Sequence, residues 1–493
     1  MKLRLTTSAC SAIGLTVCAA ACCAIALSSY ATGTPEKPPQ SALPAAYSVT
    51  LPAAGETTAA SPQELTQWWR QLNDPILTRI VETALASNRD VQQALARIRE
   101  VRALRGIADA RGLPQIGFST AAARDRLSQN GRLPTANIQN PANIYQGGFD
   151  ATWEIDAFGG VQNARDVAAA ELERSEYDRA AVAVSVSAEV VATYLRLRGA
   201  QSQRAVLDNQ LAVARESIAI ASARVDAGLV SALDLLRARE LAELLAARRP
   251  LIESEVEVAM RRLGILSGAQ SSSLLTELAT QQALPRVVPQ LPPTMPAQLL
   301  ARRPDLRAIE RALAAENARI GVADAGRYPS LSANLTLGLL SLATGSLANA
   351  ASAVWNAGAS VSAPLYSGGS RNAELDAARA RYAQAALRYD NATARAVEEV
   401  ETAALRYAAA QTRRQKLANA VAFDEDTRRL ALLRYQSGLA DFMEVLDAQR
   451  QLFNIEADEL AAREEALGHL VSLYKALGGG WEVTAPRQAA AQR

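Results

Sequence analysis

The sequence contains one long pattern twice. Arg224-Val-Asp-Ala-Gly228-Leu229 recurs as Arg434-Tyr-Gln-Ser-Gly438-Leu439, at an offset of 210 positions (438 − 228). Other identical pairs at this offset are Leu195/Leu405, Gln201/Gln411, Leu236/Leu446 and Gly268/Gly478. Upstream the match continues at a slightly larger offset, as in Pro114/Pro329. A period of roughly 200 residues is far longer than a solenoid unit, so the chain is predicted to be a duplicated half-structure.

Charge and cysteine usage exclude several functional classes. The 52 basic and 50 acidic residues nearly balance, which argues against nucleic acid as a partner, because phosphate binding needs clustered basic residues. All four cysteines lie within the first 23 residues, so the remainder has no disulfide framework. The lone His469 sits in a helical apolar pattern and is predicted to be partly buried and structural. We therefore predict a protein that is not an enzyme and needs no metal or cofactor.

The N-terminus has the pattern of an export signal. Residues 1–31 carry Lys2 and Arg4, an apolar run, and small residues around Ala31 for cleavage. Lipidation at Cys22 or Cys23 is an open alternative. The usual lipoprotein motif has a branched apolar residue three positions before the cysteine, and neither cysteine has one. An extended linker, 32–61, follows. After residue 31 we find no apolar run of ~18 residues, so a membrane crossing is predicted to use strands.

Four segments alternate between apolar and polar residues, as strands between lipid and water do. They are 115–123, 148–158, 330–340 and 353–364. Their lengths fit tilted membrane-crossing strands, although a half-buried soluble sheet is the alternative. Four strands cannot close a barrel, and an open edge is not tolerated in lipid. Two copies would make a barrel filled by side chains, whereas three copies would leave a lumen.

Long helical patterns occupy 161–226 and 371–436, almost without glycine or proline. Each would span about 100 Å and then reverse at a glycine, Gly228 or Gly438. An ordinary coiled-coil rod would explain these helices but would leave the strands and the export signal unexplained. The predicted division is a first repeat, 62–268, a Pro-rich connector, 269–302, a second repeat, 303–480, and a tail, 481–493.

The two repeats differ most clearly after the second glycine turn. Met443, Asp447 and Arg450 form one helical stripe, and their counterparts are Leu233, Arg237 and Glu240. In a trimer, three Asp447 carboxylates could form a ring that attracts cations, with Met443 as an apolar collar. Arg434 and Tyr435 could then hold the ring closed. The alternative is that Asp447 and Arg450 are an ordinary solvated pair.

Several motifs together resemble the bacterial outer membrane factor family, in its drug-efflux lipoprotein branch. They are Trp68-Trp69 with Asn73-Asp74-Pro75, Ala84-Leu85-Ala86-Ser87-Asn88-Arg89-Asp90, Ala301-Arg302-Arg303-Pro304-Asp305-Leu306, Ala363-Pro364-Leu365-Tyr366-Ser367-Gly368-Gly369, and Tyr435-Gln436-Ser437-Gly438 with Leu446-Asp447-Ala448-Gln449-Arg450. The resemblance spans about residues 62–480. Branch members usually carry a lipidated, palmitate-bearing cysteine before a Gly-Pro element. Here Gly33-Thr34-Pro35 has no adjacent cysteine, so the anchor stays open.

The resemblance implies a mainly α fold with a transmembrane β-barrel. It implies a homotrimer whose twelve-stranded outer membrane barrel continues into a twelve-helix periplasmic α-barrel. By position, Met443, Asp447, Arg450, Arg434 and Tyr435 resemble a periplasmic gate. The residues that resemble a contact for a periplasmic adaptor protein are Gly228, Leu229, Val230, Ser231, Gly438, Leu439, Ala440 and Asp441.

The function that the resemblance implies is the outer membrane channel of a tripartite efflux system. Such a channel is a passive conduit, set in outer membrane lipid and served by an inner membrane pump. It would export small toxic compounds or drugs. The same duct could instead serve metal-ion efflux or type I polypeptide secretion, because the pump sets the substrate. A rod or adhesin would not need alternating strands, and an enzyme has no paired catalytic residues here.

Overall fold

The computed structural model describes residues 47–49, 65–128, 130, 139–268, 272–285 and 302–481. The predicted signal segment, Cys22 and Cys23 lie outside these residues, as do most of the linker, the connector and the tail. The described chain forms two compact units. The first unit contains Ile98–Ser175 and Ile309–Tyr389, and the second contains the preceding, intervening and following segments. Each repeat therefore contributes to both units.

Helices dominate both units, and a single four-stranded sheet is described in the first. The α-helices are α1 Pro75–Ser87, α2 Arg89–Ala110, α3 Gly160–Asp226, α4 Ala232–Ala246, α5 Arg249–Leu266, α6 Ser272–Ala279, α7 Pro304–Ala325, α8 Ser370–Gln436 and α9 Phe442–Ala476. The strands are β1 Gln115–Asp125, β2 Ala142–Ile155, β3 Ser330–Ser341 and β4 Ala353–Ser362. Short 3₁₀ turns lie at Trp68–Leu72, Thr344–Ser346 and Ala350–Ser352. Helices α3 and α8 have 67 residues each, and both ends of α8 lie 210 positions after those of α3 (370 − 160; 436 − 226).

The sheet has the order β1-β2-β3-β4 and is antiparallel throughout. One register row joins Phe118, Phe149, Leu337 and Trp355, all of which are exposed. Because side chains alternate along a strand, the next row points to the opposite face, and Asp150, Thr336 and Asn356 occupy it. The predicted separation of an apolar and a polar face is thus present across the sheet.

Strand β2 differs from the predicted segment 148–158. It begins at Ala142, because residues 142–147 pair with the end of β1 from Thr120 to Asp125. It ends at Ile155, because the side chain of the next residue, Asp156, caps a helix. Asp156 accepts a hydrogen bond from the Gln162 backbone N–H at 2.7 Å, which caps the start of α3.

In the first unit, four helix segments lie side by side in the order of the strands that they join. Ile98 and Val101 of α2 pack with Leu172 of α3. Between α3 and α7 the contacts are ion pairs, Arg319 to Glu171 at 2.8 Å and Arg311 to Glu173 at 3.1 Å. Between α7 and α8 they are apolar, through Leu313, Tyr382 and Ala385. The sequence of neighbours is therefore α2, α3, α7, α8.

The core of the second unit is organised around the tryptophan pair of the first motif. Trp68 stacks on Tyr474, with ring centroids 4.8 Å apart and planes at 11°. Asn73 takes a left-handed conformation and Pro75 is the first residue of α1. Asp74 caps α1 by accepting hydrogen bonds from two backbone N–H groups, and it also accepts one from the Tyr194 hydroxyl. The motif thus fixes the start of α1 against α3.

Arg303 of the Arg-Arg-Pro-Asp motif makes a nearly buried charge network in the same unit. It donates to both oxygens of Asp305, at 3.1 and 2.7 Å, and to Glu399 at 2.7 Å. Burial opposes both charges, but these hydrogen bonds outweigh it. The pKa of Asp305 is therefore lowered and the pKa of Arg303 is raised. A buried arginine is tolerated here because two carboxylates compensate it.

His469 and the hydropathy of α3 bear on two further expectations. His469 is partly buried, with Nε2 3.7 Å from a Glu465 oxygen, which confirms the prediction of its burial. The expectation that no long apolar window follows residue 31 is wrong. Helix α3 contains an 18-residue window of mean hydropathy 1.4, although 56% of that window is buried within the protein. The small alanine and valine side chains of this helix explain both its hydropathy and its burial.

We expect Leu337→Arg to lower the stability of the folded protein in phospholipid bilayers by about 2–4 kcal/mol, because it places a charge on the apolar face of β3. Thr336→Arg is the matched control on the polar face of the same strand and should cost much less. Denaturant titration in vesicles measures both variants. Equal losses would mean that the two faces do not meet different solvents.

We expect Glu456→Gln to raise the denaturation midpoint at pH 7. Burial raises the pKa of Glu456 and the Glu425 charge adds to this, while a hydrogen bond from Gln210 opposes it. The folded-state pKa therefore lies above the unfolded-state value of ~4.3, so stability is lost as pH rises through the folded-state pKa. The gain from Gln should shrink as pH falls toward ~4.3. Asp458→Asn, at an exposed position of the same helix, should give no such pH-dependent gain.

Candidate functional site

The two glycine turns close the long helices with the same hydrogen bonds. The Gly228 N–H donates to the Val225 carbonyl at 2.9 Å, and the Leu229 N–H donates to the Arg224 carbonyl at 2.9 Å. Gly438 and Leu439 repeat this pattern at 3.0 and 2.8 Å. Both glycines have φ near +70°, at 71° and 73°, where a side chain is strained. Glycine at these turns is therefore required by backbone conformation.

The residues after each glycine start the returning helix. Ser231 accepts a hydrogen bond from the Leu233 backbone N–H and caps α4, while Asp441 accepts one from the Glu444 backbone N–H and caps α9. Between each glycine and its cap, one leucine projects outward. Leu229 is 71% exposed and Leu439 is 72% exposed. Each tip is thus a hydrogen-bonded turn that presents a leucine side chain to solvent.

Helix α9 has a buried stripe and a separate polar stripe. Near the tip, the buried stripe contains Phe442, Val445, Leu446, Gln449, Leu452 and Phe453. Met443 and Arg450 are partly buried, whereas Asp447 is exposed. Of the predicted gate, Met443, Asp447 and Arg450 therefore lie on the side of α9 that the core of this chain does not cover.

Arg450 and Arg434 have partners within the chain that the spacing did not indicate. Arg450 lies 3.9 Å from Glu240 on α4. Glu240 is the residue of the first repeat that corresponds to Arg450 in the second. Arg434 forms an ion pair with Glu444 at 3.1 Å. Asp447 has no ion-pair or hydrogen-bond partner among the described residues. Within a single chain, the carboxylate of Asp447 is therefore available to contacts from outside that chain.

Tyr435 is buried at the end of α8. Its ring packs against Phe442 with centroids 5.2 Å apart. The guanidinium of Arg224, which belongs to the other repeat, lies 4.2 Å from the centroid of the Tyr435 ring. Arg224 also donates to the Gln436 carbonyl at 3.1 Å. The Tyr435 hydroxyl has no hydrogen-bond partner in the described part of the chain. Arg224 thus links the end of α3 to the end of α8.

Two features of this region were missed by sequence reasoning. Arg224 belongs to the repeated motif, and its equivalence to Arg434 was the available signal for a role at the tip. The buried Gln449 donates to Ser217 at 2.7 Å, but nothing in the spacing of these residues indicates the contact. No group of three or more His, Cys, Asp or Glu side chains is placed to hold a metal ion in the described ranges.

The family model described as outer membrane efflux protein matches residues 80–268 and 295–479. The chain belongs to this family. The first matched range lies within the first predicted repeat, whereas the second begins in the predicted connector and covers nearly all of the second repeat. Together the two ranges cover most of the chain.

Individual relatives agree with the family match. The chain is 30% identical over 460 residues to the pyoverdine export outer membrane protein OpmQ of Pseudomonas aeruginosa, covering 92% of this chain and 94% of OpmQ. It is 32% identical over 420 residues to outer membrane protein OprJ of the same organism, covering 84% and 86%. The solved OprN outer membrane channel superposes with a TM-score of 0.82 at 31% identity, over 91% of this chain and 99% of that chain.

These matches confirm the predicted resemblance and the fold class. They also confirm the outer membrane localisation and the function as the outer membrane channel of an efflux system. The family consists of channel proteins. The roles of the individual tip and gate residues, in contrast, stay predictions.

We expect Gly438→Ala to lower the free energy of unfolding by about 1 kcal/mol, because alanine is strained at positive φ. Gly468→Ala is the control inside α9, where a methyl group meets no neighbouring atom. It should be neutral or stabilising by up to ~1 kcal/mol, because alanine is the better helix former. Denaturant unfolding followed by circular dichroism measures both. Equal effects would contradict a conformational role for Gly438.

Proposed function

We propose that three copies of this chain assemble into a passive conduit that exports small toxic compounds or drugs from the periplasm to the exterior. A periplasmic adaptor and an inner membrane pump would deliver the substrate and the energy. The conduit itself would carry out no chemistry. The names of relatives such as the pyoverdine exporter OpmQ support a substrate class of small molecules.

The observation that carries this proposal is the open sheet. Strands β1 and β4 are its edges, and each has a partner on one side only among the described residues. Its apolar face exposes large side chains, including Trp355 at 73% exposure. Unpaired backbone groups are not tolerated in lipid, so β1 of one copy must pair with β4 of another. Three copies give twelve strands, a barrel wide enough for a lumen.

The gate would be a ring of three Asp447 carboxylates. The exposed position of Asp447 and its lack of a partner within the described chain support this, as does the partly buried Met443 one turn earlier. Carboxylates that approach each other repel, so a closed ring needs cations or neighbouring positive charge. Arg450, on the same stripe and 3.9 Å from Glu240, would supply that charge.

Contacts behind the ring would hold the tip of α9 in place. The Arg434–Glu444 ion pair joins the end of α8 to the first turn of α9, and Tyr435 packs on Phe442 at the same junction. Because both contacts fix α9 against α8, movement of this hairpin would move Asp447. Opening is thus proposed as a displacement of the second hairpin, with α3 and α4 as its support.

The adaptor would contact the two tips, at Gly228–Ser231 and Gly438–Asp441. Exposed Leu229 and Leu439 support this proposal, because each offers an apolar anchor on a hydrogen-bonded turn. An adaptor that covered these side chains would remove their apolar surface from water, which favours association. Because the two turns share their backbone hydrogen bonds, each tip would present its leucine to an adaptor in the same backbone geometry.

We expect Asp447→Ala to raise single-channel conductance in planar bilayers at pH 7 and to reduce cation selectivity, because it removes the carboxylate ring. Asp458→Ala is the control on an exposed position of α9 and should leave conductance unchanged. The mass of the detergent-solubilised protein should correspond to a trimer for both variants. A monomeric mass would contradict the conduit, and unchanged conductance with Asp447→Ala would contradict the ring alone.

A further inference from the structure

A groove of about 890 Å³ lies within the first unit. All four neighbouring helix segments line it, including the outermost ones, α2 and α8. Helices that lie side by side can share one groove only if their common surface is concave on that side. The groove therefore marks the concave face of this helical wall.

The floor of the groove is apolar and open. Leu104 and Ile107 of α2 and Val322 of α7 line it, and each is exposed, at 50%, 58% and 38%. Large apolar side chains that share one exposed concave surface commonly mark a binding site. A ligand with an apolar body would cover them.

Positive charge surrounds this floor. Four guanidinium groups line the groove, and Glu374 is the only carboxylate among the lining residues. Arg319 is already paired with Glu171 and Glu316, and Arg371 lies 3.2 Å from Glu374. Arg111 and Arg381 are exposed and form no ion pair with any described residue. Two guanidinium groups per copy are therefore available to an anion.

We propose that this arginine groove, formed by Leu104, Ile107, Arg111, Val322, Arg371 and Arg381, binds amphipathic organic anions during export. The apolar body of the ligand lies on Leu104, Ile107 and Val322, and its carboxylate or sulfonate accepts hydrogen bonds from Arg111 and Arg381. Guanidinium groups suit this role because they bind planar oxyanions with two parallel hydrogen bonds. This inference rests on the proposed trimeric conduit, in which the concave face of the wall faces the lumen.

The charge distribution favours one substrate class over its opposite. An amphipathic cation would find the same apolar floor but would face four guanidinium groups and a single carboxylate. Because the two available arginines are solvent-exposed, their attraction is modest and weakens with salt. Weak binding suits a conduit, since a site on an export path must release what it binds. Three copies would place three such grooves around one lumen.

The test is equilibrium binding of 8-anilinonaphthalene-1-sulfonate to the full-length protein in lipid nanodiscs at low ionic strength, with empty nanodiscs subtracted. The double variant R111Q/R381Q should raise the Kd about five-fold, as expected for two exposed charge contacts. Arg379→Gln is the matched control, because Arg379 lies on the same helix outside the groove. Ile107→Ser should also weaken binding, through the apolar floor. Rhodamine 6G, an amphipathic cation, should bind more weakly than the anion.

Several outcomes would overturn the proposal. They are the absence of anion binding, equal losses with Arg379→Gln and the double variant, and equal or tighter binding of rhodamine 6G. A neighbouring copy that covers the groove would give the first outcome. The proposed conduit is tested separately by trimeric mass and by the response of conductance to Asp447→Ala. If the protein is a trimer and Asp447→Ala raises conductance, but anion binding does not depend on Arg111 and Arg381, only the proposal for the arginine groove is contradicted.

Discussion

Backbone hydrogen bonding at the edges of the sheet is the constraint on which the rest of this structure depends. A strand in lipid has no water to satisfy its N–H and C=O groups, so β1 and β4 require partners from outside the chain. This requirement makes the barrel a property of the assembly. It also explains the order of the helices in the first unit, because each helix continues the strand to which it is joined. The order of the strands in the sheet therefore determines which helices are neighbours.

Duplication supplied two arms with one architecture, and the chemistry of the tips then diverged. The turns at Gly228 and Gly438 share their hydrogen bonds and their positive φ. The helices that follow differ, since α4 carries Leu233, Arg237 and Glu240 where α9 carries Met443, Asp447 and Arg450. The contact of Arg450 with Glu240 joins two repeat-equivalent positions. Divergence at this pair of positions has thus created an ion pair between the two repeats of one chain. Identical repeats could not form it, because they would carry the same charge at both positions.

Much of the architecture could be predicted from the sequence because it depends on periodic patterns. Alternation predicted the two faces of the sheet, and the absence of glycine and proline predicted α3 and α8. The start of β2 was harder, because residues 142–147 become a strand only through pairing with β1. Likewise, Trp68 could be recognised as part of a motif, but its stacking on Tyr474 joins residues 406 positions apart (474 − 68). Contacts of that kind depend on tertiary structure and leave no local pattern.

The equal lengths of α3 and α8 have a consequence for how such a chain can change. Each residue inserted into a helix rotates everything beyond it by about 100° and advances it by 1.5 Å. A single insertion in α8 would therefore turn Tyr435 away from Arg224 and would separate the ends of the two helices. A matching insertion in α3 would restore the alignment. Insertions and deletions in these helices should accordingly be tolerated only as compensating pairs, or in multiples that restore the helical phase.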